Sequence, residues 1–280
     1  MFIPPIQIHP IILIFMIISL LTGSFLHLLI IFLIVLIHEF GHYIAARFFR
    51  WRISHIKLWI FGGVLVTEEY TDRPLREQLI VTLAGPAQHL LLYAIIFLCS
   101  LGNVFSESVL QLMLSYNTII LIFNFLPIWP LDGGRILFVL LCSILPYRLA
   151  YSRTIIVSII VATLLFFVQL FFYSFTLSAL LIMVYLILEN ISEWKQRFYI
   201  FMRFLFQRYY GDPIIKRNSF LIVPENMKLI DVLSNFMLGK KYIIKIQYQN
   251  KRHKEITEKK CLEKFFIDSL SHEKIGNIPM

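Results

Sequence analysis

Long apolar stretches separated by short polar ones occupy most of the first 190 residues. Stretches that approach or exceed about 18 apolar residues are typical of membrane-spanning helices. The pattern therefore predicts an all-α polytopic membrane helix bundle with about six transmembrane spans. These spans lie at roughly 8–22, 25–46, 79–101, 109–145, 154–170 and 174–190.

The fourth apolar span is too long for a single crossing and is interrupted by Pro127, Pro130 and the pair Gly133–Gly134. Proline inside a helix removes one backbone hydrogen bond and clashes with the preceding turn. Within a bilayer such a break persists only where protein or a water-filled cavity satisfies the freed backbone groups. We therefore expect a functional site at this break.

The character of the chain changes after the last span. Residues 194–280 include a strand-like stretch, a short amphipathic stretch, and an alternating stretch bounded by Gly239 and Asn250. This order predicts a small α+β domain. The chain thus divides into a transmembrane domain at 1–193 and a tail at 194–280.

Charge is distributed as unevenly as hydropathy. The chain is 58% hydrophobic and only 15% charged, whereas a soluble domain carries about 25% charged residues. Nine Lys/Arg and nine Asp/Glu precede Trp194, so the net charge of +9 lies entirely in the tail. A basic tail suits nucleic acid or anionic lipid, but Lys and Arg also accumulate in cytosolic segments beside a bilayer. We favour the cytosolic interpretation and expect no direct binding of nucleic acid.

The connections between spans predict the orientation of the bundle. Residues 47–78 and 147–153 contain Lys or Arg, whereas residues 22–24 and 102–108 contain neither. Because basic loops stay in the cytosol, six spans would place both termini there. The second span then runs inward, with its later part toward the cytosolic side.

Apart from histidines, the charged residues that lie away from the ends of the spans are Glu39, Asp132 and Arg135. Each costs at least a few kcal/mol in a bilayer and is a functional candidate. Glu39 lies between His38 and His42 in an H-E-x-x-H pattern. On a helix, residues four positions apart lie about 5–6 Å apart at Cβ, so two imidazoles can bind one zinc ion. The intervening glutamate points elsewhere and can serve as a general base toward water.

A catalytic zinc site needs a third protein ligand and one open position. Asp132 is the best candidate, because the broken fourth span brings its carboxylate to membrane depth. The alternative is a group of buried polar residues that pair only with one another.

The two motifs HEFGH and NFLPIWPLDGGRIL, in this order, resemble those of the site-2 protease family of intramembrane zinc metalloproteases. The resemblance covers roughly residues 25–145. It implies one Zn²⁺ per chain held by His38, His42 and Asp132, with Glu39 as the catalytic residue. It also implies cleavage of a membrane-associated protein near the cytosolic face.

The resemblance extends to further positions. The stretch WIFGGVLV resembles a family strand that borders the active site, so Gly62 and Gly63 would contact substrate; the alternative is an ordinary cytosolic hairpin with both glycines at its turn. Asn124 matches an asparagine of the family motif, and this match implies that Asn124 helps to position the substrate. His89 stands where the family usually has asparagine, which leaves its role open between a third imidazole near the metal and a structural histidine. Arg135 is expected to pair locally.

The tail resembles a single cystathionine-β-synthase-type (CBS) module, which implies binding of ATP or another adenine nucleotide. A six-span core with such a tail resembles the sporulation proteases of the family. That resemblance implies a sporulation sigma-factor precursor as substrate, inhibitory membrane partner proteins, and a location in the membrane around the forespore. A homo-oligomer is possible.

Two other function classes remain open at this point. A metal transporter also uses histidines and acids within spans, but it should carry polar groups in the fifth and sixth spans, which hold almost none. A non-catalytic membrane adaptor with a basic, partner-binding tail would not need Glu39 and Asp132.

Overall fold

The computed structural model describes residues 6–8, 10–59, 62–67, 73–172, 176–211, 218–248, 253–268 and 273–277. Within these residues, seven helices form the membrane part, and α4 and α5 follow each other across a break of six residues. Their bounds are α1 Ile11–Leu21, α2 Phe25–Phe48, α3 Leu75–Leu101, α4 Glu107–Phe125, α5 Asp132–Ile144, α6 Tyr147–Phe172 and α7 Leu177–Tyr210.

Five of the described helices, α2, α3, α4, α6 and α7, are long and apolar enough to cross a membrane. They confirm a multi-pass membrane protein. The interrupted fourth span is divided into α4 and α5, as its prolines predict. The sixth predicted span is only the first half of α7, which has 34 residues.

The prediction of a full crossing at residues 8–22 is wrong for the helix formed there. Helix α1 has 11 residues, which rise about 16 Å, whereas the hydrocarbon core of a bilayer is about 30 Å thick. Five crossings would place the two termini on opposite sides. The prediction that both termini are cytosolic therefore depends on α1 crossing together with the residues that flank it.

A small sheet lies beside α2. It consists of β1 Ile6–Ile8, β2 Ile53–Trp59 and β3 Gly62–Thr67 in the order β1-β2-β3, with β1 parallel to β2 and β2 antiparallel to β3. Strand β1 was not predicted, because three residues beside an apolar span carry no separate strand signal. Gly62 pairs with Trp59, so the two glycines lie within β3 and not at the turn of the hairpin.

The backbones of α2 and α3 come unusually close together. A Cβ atom added to Gly41 would lie 2.4 Å from the carbonyl oxygen of Ala84, so only glycine fits there. The same two helices share apolar contacts: Tyr43 and Ala46 of α2 form one buried cluster with Val81 of α3. This close approach brings the α3 backbone to the histidine-bearing face of α2.

The tail has the predicted strand–helix–strand order and continues with one more strand and helix. Its elements are β4 Asn218–Pro224, α8 Leu229–Ser234, β5 Lys241–Gln247, β6 His253–Thr257 and α9 Glu258–Phe266. Strand β5 is central, parallel to β4 and antiparallel to β6. Its alternate residues Tyr242, Ile244 and Ile246 are buried, as expected for a strand with one covered face.

The boundary predicted at 193/194 falls inside α7, which runs on into the tail. Phe201, Phe204 and Leu205 of α7 belong to the same buried cluster as the tail core and as Tyr147 at the start of α6. The rings of Tyr147 and Phe204 are stacked with centroids 4.0 Å apart, and the Tyr147 amide donates to the carbonyl of Phe236, 2.9 Å away. The bundle and the tail therefore share one continuous core.

Candidate metal centre and active site

Helix α2 carries His38, Glu39 and His42 into the interior of the bundle, where they are 4%, 5% and 3% exposed. The two imidazoles lie one helical turn apart, as their spacing predicts, and their Nε2 atoms are 3.1 Å apart. Each of the three residues offers one ligand atom, and these atoms all lie within 4.8 Å of one another.

Asp132, the first residue of α5, completes the group. Its Oδ2 atom lies 3.0 Å from Nε2 of His38 and 3.2 Å from Nε2 of His42. In a tetrahedral zinc site with bonds of about 2.0–2.1 Å, neighbouring ligand atoms lie about 3.3 Å apart. The three predicted ligands thus form a triangle of the size that one zinc ion requires.

The chemistry of these three atoms also calls for a cation. Nδ1 of His42 lies 2.8 Å from the carbonyl oxygen of Val81 and must donate to it, so in the neutral ring Nε2 presents a lone pair. Oδ2 of Asp132 is buried and has no hydrogen-bond donor among the described residues. Two buried electron-rich atoms this close repel each other unless a proton or a metal ion lies between them. The residues present fit a zinc ion.

Gly85 of α3 keeps this space open. A Cβ atom at position 85 would lie 2.2 Å from Nε2 of His42 and 2.8 Å from Nε2 of His38, where the two ligand atoms converge. Proline follows at position 86 within α3. Nothing in the pattern of apolar residues marked Gly85 as part of the site, since its importance arises from the contact between α2 and α3.

The break between α4 and α5 is held by side chains from two other helices. The backbone N–H of Trp129 donates to Oγ of Ser158 in α6 at 2.9 Å, and its carbonyl accepts from Nδ2 of Asn190 in α7 at 2.6 Å. Both polar residues are fully buried. They satisfy the backbone groups that the break frees within the membrane and so fix the segment that delivers Asp132. The fifth and sixth spans are therefore not free of functional polar groups, contrary to the expectation.

The start of α5 folds tightly against this segment. A Cβ atom at Gly133 would lie 2.3 Å from the carbonyl oxygens of Phe125 and Leu126, and one at Gly134 would lie 2.6 Å from the backbone of Ile128. The two glycines after Asp132 thus allow the chain to turn into α5 with the carboxylate facing α2.

The other predicted site residues do not all reach the triangle. Asn124 is half-buried and donates to the carbonyl of Ile120 in its own helix at 3.0 Å. His89 is fully buried, and its Nε2 lies 3.0 Å from Nδ1 of His38, on the side of that ring opposite the triangle. Arg135 is half-buried in α5.

The sheet approaches α2 near the metal site. Ile12, at the start of α1, packs against the buried cluster that includes Tyr43 and Ala46, one and four residues after His42. Strand β1 directly precedes α1, and β3 lies beside α2. Among the described residues, β3 pairs on one side only, so it offers an open edge beside α2.

Comparison with known proteins decides the family. The model of peptidase family M50 matches residues 26–107 and 101–168. Stage IV sporulation protein FB from Bacillus subtilis is 36% identical over 274 residues, which cover 98% of this chain and 95% of that protein. The chain belongs to peptidase family M50. The resemblance to the site-2 protease family, to which these proteases belong, is therefore confirmed.

Two further relatives agree with this M50 assignment. A zinc metalloprotease from Methanocaldococcus jannaschii is 24% identical over 85% of this chain and 70% of that protein. The solved structure of a site-2 protease from the same organism has a TM-score of 0.52 and 20% identity, covering 68% of this chain and 90% of that chain, which shows a common fold. The M50 chain is a zinc metalloendopeptidase and a multi-pass membrane protein.

Proposed function

We propose that this M50 peptidase cleaves a membrane-associated protein within or beside the bilayer, with zinc held by His38, His42 and Asp132 and with Glu39 as general base. The triangle of two Nε2 atoms and one carboxylate oxygen, 3.0–3.2 Å on each side, carries the proposal. When bound, zinc supplies Lewis acidity and a water of lowered pKa.

The residues of the chain supply the rest of the chemistry. Glu39 is buried beside both histidines without belonging to the triangle. Its carboxylate accepts the proton of the attacking water and returns it to the leaving amide nitrogen, as a general base and then a general acid. The burial of the whole group excludes bulk water and strengthens each electrostatic interaction in the site.

A substrate helix must unwind before its peptide bond can be attacked, because a helical amide is engaged in its own hydrogen bonds. The open edge of β3, where Gly62 and Gly63 lie, would stabilise the unwound segment by strand addition. Its place beside α2 supports this assignment. Asn124 would orient the same segment from α4, at the end nearest the break.

The likeness to stage IV sporulation protein FB supports a substrate that functions in sporulation. We propose the pro-sequence of a sporulation sigma factor, cleaved on the cytosolic side of the membrane around the forespore, with inhibitory membrane partners restraining the protease. Both termini would lie in the cytosol. The tail would act as a CBS-like domain at 194–280 that binds ATP or a related nucleotide, and its β-α-β order is compatible with that role.

The test of the catalytic assignment compares Glu39→Gln with the wild-type chain. Purified Glu39→Gln should retain zinc and lose cleavage of a co-expressed sigma-factor precursor, because glutamine cannot accept the proton. Glu107→Gln, at an exposed position of the first turn of α4, is the matched control and should cleave normally. Cleavage by Glu39→Gln at the wild-type rate would end the general-base assignment. Sequencing the product N-terminus identifies the cut bond.

A further inference from the structure

Three buried side chains form a hydrogen-bonded row behind the metal site, one from each of three helices. Oδ1 of Asn117 in α4 lies 2.7 Å from Nδ1 of His89 in α3. Nε2 of His89 lies 3.0 Å from Nδ1 of His38 in α2. Asn117 and His89 are both fully buried, so no water competes for these contacts.

A backbone carbonyl fixes the direction of this row. Nδ2 of Asn117 donates to the carbonyl oxygen of His89 at 3.2 Å. A carbonyl only accepts hydrogen bonds, so the amide nitrogen of Asn117 must face it and the amide oxygen must face the His89 ring. Nδ1 of His89 therefore carries the proton in this contact.

The tautomer of His38 follows from that of His89. In a neutral imidazole with its proton on Nδ1, Nε2 presents a lone pair, and here it accepts from Nδ1–H of His38. The remaining nitrogen of His38, Nε2, then presents its own lone pair toward His42 and Asp132. His42 reaches the same state more directly, through its contact with Val81.

We propose that Asn117 and His89 are positioning residues of the protease that hold His38 in the tautomer and ring orientation needed to bind zinc. The inference rests on the proposed ligation of zinc by His38. Partners of this kind commonly fix ligating histidines in metal sites. His89 is thereby excluded as a metal ligand, because its Nε2 is already engaged by His38. The row starts at one backbone carbonyl and ends at the metal site.

The alternative role for this pair is a structural link between α3 and α4. A neighbouring pair provides the matched control. The hydroxyl groups of Tyr93 and Thr118 are 2.7 Å apart and join the same two helices, four residues after His89 in α3 and one residue after Asn117 in α4. No described contact links them to the metal site, so their removal weakens the α3–α4 link without changing His38.

The experiment measures the zinc affinity of the full chain in lipid nanodiscs, by competition with a chromophoric chelator. Asn117→Leu and His89→Leu should each weaken zinc binding by about 10–100-fold. Tyr93→Phe and Thr118→Val should leave it unchanged. His89→Gln should restore most of the affinity, because its amide oxygen can accept from Nδ1 of His38. At saturating zinc, Asn117→Leu should lower kcat with little change in KM.

The outcomes separate this inference from the proposed function. His38→Ala, measured alongside, should lose zinc binding; retained zinc in that variant would overturn the ligand assignment itself. If His38→Ala loses zinc while Asn117→Leu and His89→Leu keep wild-type zinc affinity, the positioning role of Asn117 and His89 alone is overturned. Equal losses of affinity in the Tyr93→Phe control would also overturn it, since a general loosening of α3 and α4 would then explain the effect.

Discussion

Oδ2 of Asp132 lies 3.0 Å from Nε2 of His38, although the two residues belong to separate helices, α5 and α2. The carboxylate oxygen is buried and has no hydrogen-bond donor among the described residues, so a cation is needed to neutralise its charge in this contact. The contact links the position of α5 to the occupancy of the metal site.

The first prediction concerns the charge of Asp132. Asp132→Asn keeps the size of the side chain and removes its negative charge, so zinc binding should weaken by at least about tenfold, as expected for a lost charged ligand. Metal content after dialysis against a chelator, measured by mass spectrometry, checks this. Asp231→Asn, at an exposed position of α8, should retain full zinc; equal retention in both variants would contradict the ligand role of Asp132.

The second prediction concerns the space at Gly85. The added methyl group of Gly85→Ala would lie 2.2 Å from Nε2 of His42, so the imidazole must move and zinc should no longer bind. Gly102→Ala, at the end of the same helix with its nearest neighbour 3.3 Å away, should bind zinc and cleave substrate normally. A zinc-replete Gly85→Ala chain would show that this part of α3 lies farther from the metal.

The third prediction concerns Ser158 and the broken segment. Ser158→Ala leaves the buried N–H of Trp129 without its acceptor, which should lower the free energy of unfolding by about 1–3 kcal/mol. Cleavage should fall as well, because the segment that carries Asp132 loses one of its two anchors. Ser143→Ala removes an exposed hydroxyl that, among the described residues, donates only to Leu140 in its own helix, and it should change stability by less than about 0.5 kcal/mol. Thermal unfolding in detergent distinguishes them.

The fourth prediction concerns the buried ion pair of the tail. Nε and Nη2 of Arg208 contact the two carboxylate oxygens of Glu258 at 2.6 and 2.8 Å, and both residues are less than 10% exposed. Arg208→Met leaves the carboxylate buried and unpaired, which should destabilise the tail by about 3–5 kcal/mol. Lys264→Met breaks a more exposed pair with Asp268 and should cost about 0–1 kcal/mol.

Thiol labelling of Cys261 provides the measurement for this pair. The Cys261 side chain is buried, and burial raises its pKa to about 12, so the thiol stays protonated and unreactive at neutral pH while the tail is folded. Opening of the tail returns the thiol pKa to about 8.5 and exposes it. Maleimide labelling of Cys261, followed by peptide mass spectrometry, should therefore accelerate strongly in Arg208→Met and hardly at all in Lys264→Met.

Local signals in the sequence predicted which side chains would meet at the candidate site. H-E-x-x-H spacing on an apolar helix and a carboxylate at a proline-broken span are local signals, and the structure brings His38, His42 and Asp132 together as predicted. Ser158 and Asn190 carry no such signal, because their roles depend on which faces of different helices meet. The length of α1 was missed for a related reason: apolar composition does not show where a helix gives way to a strand.

Helix α7 has one further consequence. Its 34 residues form a rod about 51 Å long, whose second half supplies Phe201 and Phe204 to the interior of the tail. A fragment that starts after α7 would therefore lack part of the hydrophobic core of the tail and would expose the apolar residues that pack against Phe201 and Phe204. The same helix carries Asn190, which donates to the carbonyl of Trp129. A ligand that changes how the tail packs on α7 would therefore act on the helix that anchors the broken segment in the bilayer.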